Sequence, residues 1–171
     1  VLVIEALIKL FETTSKLNYL EKAQDLTEQV FNQFYNHKNK MFAYKSHYDT
    51  PLVNETFEIY DNVISSSNSM MANNLFKLGK ILSQDHYMEQ AKQMLSNIED
   101  KIHDYPTGFA NWIQLYLNFS HDYKEIVIVG DQAKAYLKQL HFYYIPNAIF
   151  VAAEKEHLEI TQNRWTEGQT G

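Results

Sequence analysis

Three carboxylates and a cluster of small polar side chains lie close together in the middle of the chain. Glu55, Glu58 and Asp61 come first, then Ser65, Ser66, Ser67, Asn68 and Ser69. A carboxylate set against a substrate can act as a general acid or base. Hydroxyl and amide oxygens just before an apolar helical pattern do something plainer: they accept the orphan N–H groups of a first turn. A helix start at the rim of a cleft also presents N–H groups to an anion or a hydroxyl. Two readings of this stretch therefore stand side by side. In one, Asp61, Ser66, Asn68 and Ser69 line a ligand cleft with aromatic residues such as Trp112, and Asp61 and Glu58 are the candidate catalytic groups. In the other, the stretch is a helix cap. The seven histidines show no His-x-x-x-His ligand spacing. His47 is the best placed of them for acid or base work, against the plainer reading of a surface loop histidine. His47-Tyr48-Asp49 as a metal pair is weaker still, and no metal or cofactor site is expected.

The elements that must position these residues read as helices. Ile4, Leu7, Ile8 and Phe11 fall on one helical face that ends near Thr13-Thr14-Ser15. A second helix runs from about Tyr19, with Leu20, Ala23, Val30, Phe31 and Phe34 inward and Glu21, Lys22, Asp25 and Glu28 outward. The helical period disappears from Met41 to Tyr60; Met41–Tyr44 suits a short strand, and Pro51 with its Thr and Asn neighbours suits a loop. Loops of this length in compact domains are usually functional or disordered, and the aromatic content argues against disorder. A third helix starts near Ser65–Asn68 and continues through Leu75, Leu78 and Leu82. A fourth is expected from His86 to His103 and a fifth, apolar nearly all round and so buried on most sides, from Phe109 to Phe119. The end differs. Ile126–Val129 is a β-branched run expected to be a strand covered on both faces. With a helix over Ala133–Leu140 and a strand over Ala148–Ala153 it makes a βαβ unit, read as a structural appendage. Gly130 alone is weak evidence for nucleotide binding.

Composition bounds the function. Hydrophobic residues make up 45% and charged residues 21% of the 171, enough for a packed core. The net charge of −6 with Arg164 as the sole arginine argues against nucleic acid as a partner. The chain has no cysteine, so no disulfide or thiolate metal site forms within it, and a cytoplasmic location is expected. No apolar run approaches the ~20 residues that span a bilayer. The chain opens at Val1 inside an amphipathic pattern, as expected of a fragment of a longer protein.

The helices repeat. A shift of 68 residues places Leu7 on Leu75, Lys9 on Lys77, Leu10 on Leu78, Ser15 on Ser83, Tyr19 on Tyr87, Glu21 on Glu89 and Ala23 on Ala91 without a gap. Leu26, Val30 and Phe34 then fall on Met94, Ile98 and Ile102. The repeat is longer than those of common helical solenoids, and its long loop favours a toroid whose loops at one end wall a cleft.

The central stretch resembles a motif of the YyaL-like proteins, whose animal members are called spermatogenesis-associated. The motif has the form Glu-x-x-Asp-Gly-Ala-x-Pro-Ser-Gly-Asn-Ser, followed by an Ala- and Leu-rich helix. Glu58, Asp61, Ser66, Asn68 and Ser69 match it, while Asn62, Val63, Ser65 and Ser67 stand where it has Gly, Ala, Pro and Gly. Tyr19–Ala23, Pro106–Trp112, Glu125–Gly130 and Glu167-Gly168 are also similar to that family. The resemblance implies a mainly α fold: part of an (α/α)6 toroid of the six-hairpin glycosidase type over residues 1–120, with a small α/β tail over 121–171. It implies as partners an N-terminal thioredoxin-like domain and the rest of the toroid in the same polypeptide. Similar barrels occur in sugar epimerases, which use histidine, and in glycosidases, which set two carboxylates across a bond. A carbohydrate-like ligand in a central cleft is one functional expectation, whether or not the chain is an enzyme. A non-catalytic scaffold serving the thioredoxin-like domain or a protein partner is the other.

Overall fold

The computed structural model describes residues 1–50 and 55–154. Pro51, Arg164 and the Glu167-Gly168 pair lie outside the described residues. Two helical hairpins form the body. In the first, α1 (Leu2–Thr14) turns at Ser15 into α2 (Leu17–Phe34). In the second, α3 (Ser67–Leu82) turns at Ser83 into α4 (Asp85–Ser96). Both turn serines are left-handed, with φ 55° and 54°, and each N–H closes on a carbonyl four residues back, Phe11 and Gly79. The repeat thus extends to the turn between the helices. Gly79 has a packing reason as well: a Cβ there would come within 2.6 Å of the Met88 side chain, so the glycine lets α4 approach α3 closely.

The expected single helix from His86 to His103 is interrupted. The chain pauses at Asn97 and Ile98 before a short α5 (Glu99–Asp104). Ile98 N–H bonds back only three residues, to Leu95, tightening the turn. The break holds the Asn97 amide against the Asn39 carbonyl at 2.9 Å. Asn39 belongs to the tip of a hairpin between β1 (Tyr35–Asn36) and β2 (Met41–Phe42), which pair antiparallel. This hairpin leaves the end of α2 and lies against α4, where Tyr35 donates to Gln90 Oε1 at 2.6 Å and Gln90 Nε2 donates to the Lys40 carbonyl at 3.1 Å.

A 3₁₀ turn (Pro106–Phe109) leads into α6 (Ala110–Ser120), which packs beside α3. The sequence pattern expects α6 to be buried nearly all round; instead Trp112 and Leu115 are buried and Tyr116 and Leu117 exposed. Its apolar residues outnumber the neighbours available to cover them. The chain ends, among the described residues, in β3 (Lys124–Val129), α7 (Ala133–Leu140) and β4 (Ala148–Ala153), with β3 and β4 parallel. The βαβ unit is present, but the expectation that the Ile126–Val129 run is covered on both faces is not met: β3 is half-buried, and β4 is the covered strand. Ile149 and Val151 join the helical core, whereas Ala152 packs with Ala133 and Leu137 of α7. Gly130 makes the turn after β3 at φ 131°. The architecture is, among the described residues, mainly helical with two small two-stranded sheets. Among the described residues no helix is long and apolar enough to cross a membrane.

Candidate functional site

The polar stretch sits where α3 and α6 begin. Ser66 is the N-cap of α3, extended at φ −65° and ψ 146°, and its Oγ accepts the Ser69 N–H at 3.1 Å. Asp61 lies in the loop before it. Its Oδ1 accepts the Ser66 N–H at 3.0 Å and the Ser69 hydroxyl at 2.6 Å. Its Oδ2 reaches across to the second helix and accepts the Asn111 N–H at 2.8 Å. The Asp61 N–H in turn donates to the Gly108 carbonyl at 2.8 Å. One carboxylate therefore serves two helix starts, where partial positive charge and unpaired N–H groups favour an anion. Asn73 adds a second tie, its amide donating to the carbonyls of Ser69 and Asn111 at 2.9 and 3.0 Å.

Asn68 is fully buried and binds the loop rather than open space. Its Oδ1 accepts the Phe42 N–H at 2.8 Å, and its Nδ2 donates to the carbonyls of Phe42 and Glu58, both at 2.9 Å. The side chain behaves as a short strand edge, pairing both polar groups of Phe42. Glu58 Oε2 accepts the Ser67 N–H at 3.0 Å, a further first-turn donor of α3. Trp112 is buried, and its indole N–H donates to the Ile59 carbonyl at 2.9 Å. Glu55 accepts from the Asn36 amide at 2.5 Å, on the side of the β-hairpin. The three carboxylates thus go to three different local tasks.

The sequence candidates divide accordingly. Asp61, Ser66 and Ser69 share one hydrogen-bonded cluster; Glu58 and Asn68 adjoin it, and Trp112 is tied to the same loop through Ile59. His47 is exposed on the loop, its backbone N–H bonded to Gln33, and no described hydrogen bond joins it to the cluster. Asn111 and Gly108 complete the cluster through backbone atoms, which leave no mark in side-chain patterns. An open groove of about 450 Å³ lies beside the cluster, lined by Phe57, Glu58, Ile59, Tyr60, Asn62, Val63 and Ile64. Asp61 is not among its lining residues. Among the described residues no three histidine, aspartate or glutamate side chains gather as a metal site.

Relatives agree with the resemblance that Glu58–Ser69 carries. The chain is 25% identical to spermatogenesis-associated protein 20 of Rattus norvegicus over 159 residues, 89% of this chain and 20% of that one. The Homo sapiens protein of the same name is 23% identical over 157 residues, with the same shares. An uncharacterised protein of Caenorhabditis elegans is 25% identical over 136 residues, 80% of this chain and 18% of its own length. The chain spans about a fifth of the length of these relatives. No family model matches it.

Proposed function

We propose that this region is a non-catalytic helical scaffold, an arc of a toroid within a longer protein similar to the spermatogenesis-associated proteins, which supports its other domains, a thioredoxin-like domain among them. The observation that carries this reading is the engagement of Asp61. Both carboxylate oxygens accept backbone or hydroxyl donors from the starts of α3 and α6. A general acid or base needs a free oxygen within reach of substrate, and here both oxygens are committed to structure. The arc is supported by the repeated hairpins and by α6, whose start is bound beside that of α3.

The test uses the full-length protein. Asp61→Asn and Asn68→Ala should lower its melting temperature and reduce any ligand binding or activity only as far as the loss of folded protein explains. Loss of binding or activity at an unchanged melting temperature overturns the scaffold reading. A second reading rests on the groove beside the cluster, where exposed Tyr60 and Glu58 offer a ring face and a carboxylate to a carbohydrate-like molecule. Saturation of Tyr60 fluorescence or chemical shifts by simple sugars, abolished in Tyr60→Ala, supports that reading; unchanged signals across the sugars dismiss it.

A further inference from the structure

The two hairpins share their turn and the register of the helices on either side of it, although α2 continues unbroken past the point where α4 ends; what touches the second therefore predicts what should touch the first. One face of α4 meets the preceding unit at three polar points. Tyr87 donates its hydroxyl to Glu28 of α2 at 2.6 Å, Gln90 exchanges hydrogen bonds with Tyr35 and Lys40, and Asn97 donates to the Asn39 carbonyl. Between these points Met94 and Ile98 are buried. The repeat places Tyr19, Lys22 and Gln29 at the same three positions of α2, with Leu26 and Val30 between them. Lys22 and Gln29 can donate to carbonyls as Gln90 and Asn97 do, and the Tyr19 hydroxyl can donate to a carboxylate. Here Lys22 and Gln29 are exposed, Leu26 and Val30 only half-buried, and Tyr19 makes no side-chain hydrogen bond among the described residues. A groove of about 270 Å³ opens along this face, lined among others by Val3, Leu26, Gln29, Val30 and Phe34.

The neighbouring face of α1 is open in the same way. Leu2, Val3 and Leu10 are 56%, 62% and 42% exposed, and Ala6 between them is exposed too. Their counterparts Met70, Met71, Asn74 and Leu78 are all buried, and Asn74 faces α1, donating to the Val1 carbonyl at 3.1 Å. A continuous apolar stripe of this kind on a soluble domain marks an interaction surface, and in repeat structures each unit is covered by its neighbour.

We infer that the outer face of α1 and α2 is the seat of a further helix–β-hairpin unit of the same polypeptide, whose strand hairpin sets backbone carbonyls on Lys22 and Gln29 and covers Leu26 and Val30. The occupant follows from continuity with the observed interface between hairpin 35–42 and α4. A second copy of this chain is a poor fit, because its own 35–42 hairpin is already seated on its own α4. The inference rests on the scaffold reading and names the partner of that scaffold.

Site-specific photo-cross-linking in the full-length protein tests it. A benzophenone amino acid is placed at Gln29, at Lys22 or at Leu10, three exposed positions, and at Glu21 on the α2 surface as the control. Mass mapping should find intrachain cross-links from the three seat positions to a segment outside residues 1–171, and none from Glu21. Cross-links only between two copies, only to another protein, or absent at all three seat positions overturn the inference. Cross-linking at two of the three is sufficient support, so one misfolded variant does not obscure the result. None of these positions touches Asp61, so the seat can fail while the scaffold reading stands, and the reverse.

Discussion

The α1–α2 and α3–α4 hairpins turn at equivalent left-handed serines, yet Leu10 is 42% exposed and its counterpart Leu78 is fully buried. The backbone of a hairpin is set by its own residues: apolar period, turn and caps. The burial of its faces is set by neighbours. α3 packs against both α1 and α6, whereas the face of α1 that carries Leu2, Val3 and Leu10 is exposed among the described residues. Homologous positions therefore carry the same chemistry into different surroundings, and stability should follow the surroundings.

The largest test of that contrast is a paired truncation. Leu78→Ala should lower unfolding free energy by ~2–5 kcal/mol, the range for a buried leucine, and Leu10→Ala by less than about 1 kcal/mol in the isolated chain. Equal losses in denaturant titrations would break the comparison. Asn68→Ala should come next, at about 2–3 kcal/mol, because it strands both polar groups of Phe42 and the Glu58 carbonyl. Hydrogen exchange should show the effect as faster opening of β2 and the first turn of α3.

The lysine pair sharpens the contrast through pH. Lys9 is largely exposed, beside Glu12. Its counterpart Lys77 is partly buried, and desolvation, with help from Lys9, pulls its ammonium below the ordinary lysine range against the opposing pull of Glu12 and Glu5. Between that lowered value and the ordinary one, the unfolded chain holds a proton that the folded chain has released. Stability from this site therefore rises with pH through that window and levels off above it. Lys77→Met should remove the rise relative to the parent protein, and Lys9→Met should only reduce it, because burial is the larger cause and Lys9 the lesser one. The subtraction matters, because buried Tyr87 and half-buried Tyr123 have values raised by desolvation and make stability fall at higher pH. The smallest effect concerns what the hairpins share. Ser15→Gly and Ser83→Gly each relieve a left-handed residue and should raise stability by about 0.5–1 kcal/mol, with the same sign at both turns in thermal melts.

The same division explains what the sequence made legible. Apolar spacing places α1 to α4 and the start of α3, and the Ser66 cap follows from side-chain chemistry close in the chain. The position of Asp61 ahead of α3 is equally local. Its bond to Asn111 is not, since it joins a side chain to a backbone N–H fifty residues away. The break at Asn97 and the exposed face of α6 escape prediction for a related reason. One depends on where the 35–42 hairpin lands, the other on which neighbours are present. The strand pattern of Ile126–Val129 correctly marks β3, but a β-branched run reports strand preference more reliably than coverage.

The Tyr44 N–H donates to the Thr56 carbonyl at 2.9 Å, closing the long loop at its neck, and Asn36 holds Glu55 beside it. On one side of that neck, Phe42 is fixed by Asn68; on the other, Glu58 and Asp61 are fixed to the helix starts. The chain between Lys45 and Glu55 is thus fastened at both ends to parts that do not depend on its length. Doubling a loop closed in this way costs only about 0.6 kcal/mol. A change of length between Lys45 and Glu55 should therefore leave the registration of the frame on either side of the neck intact.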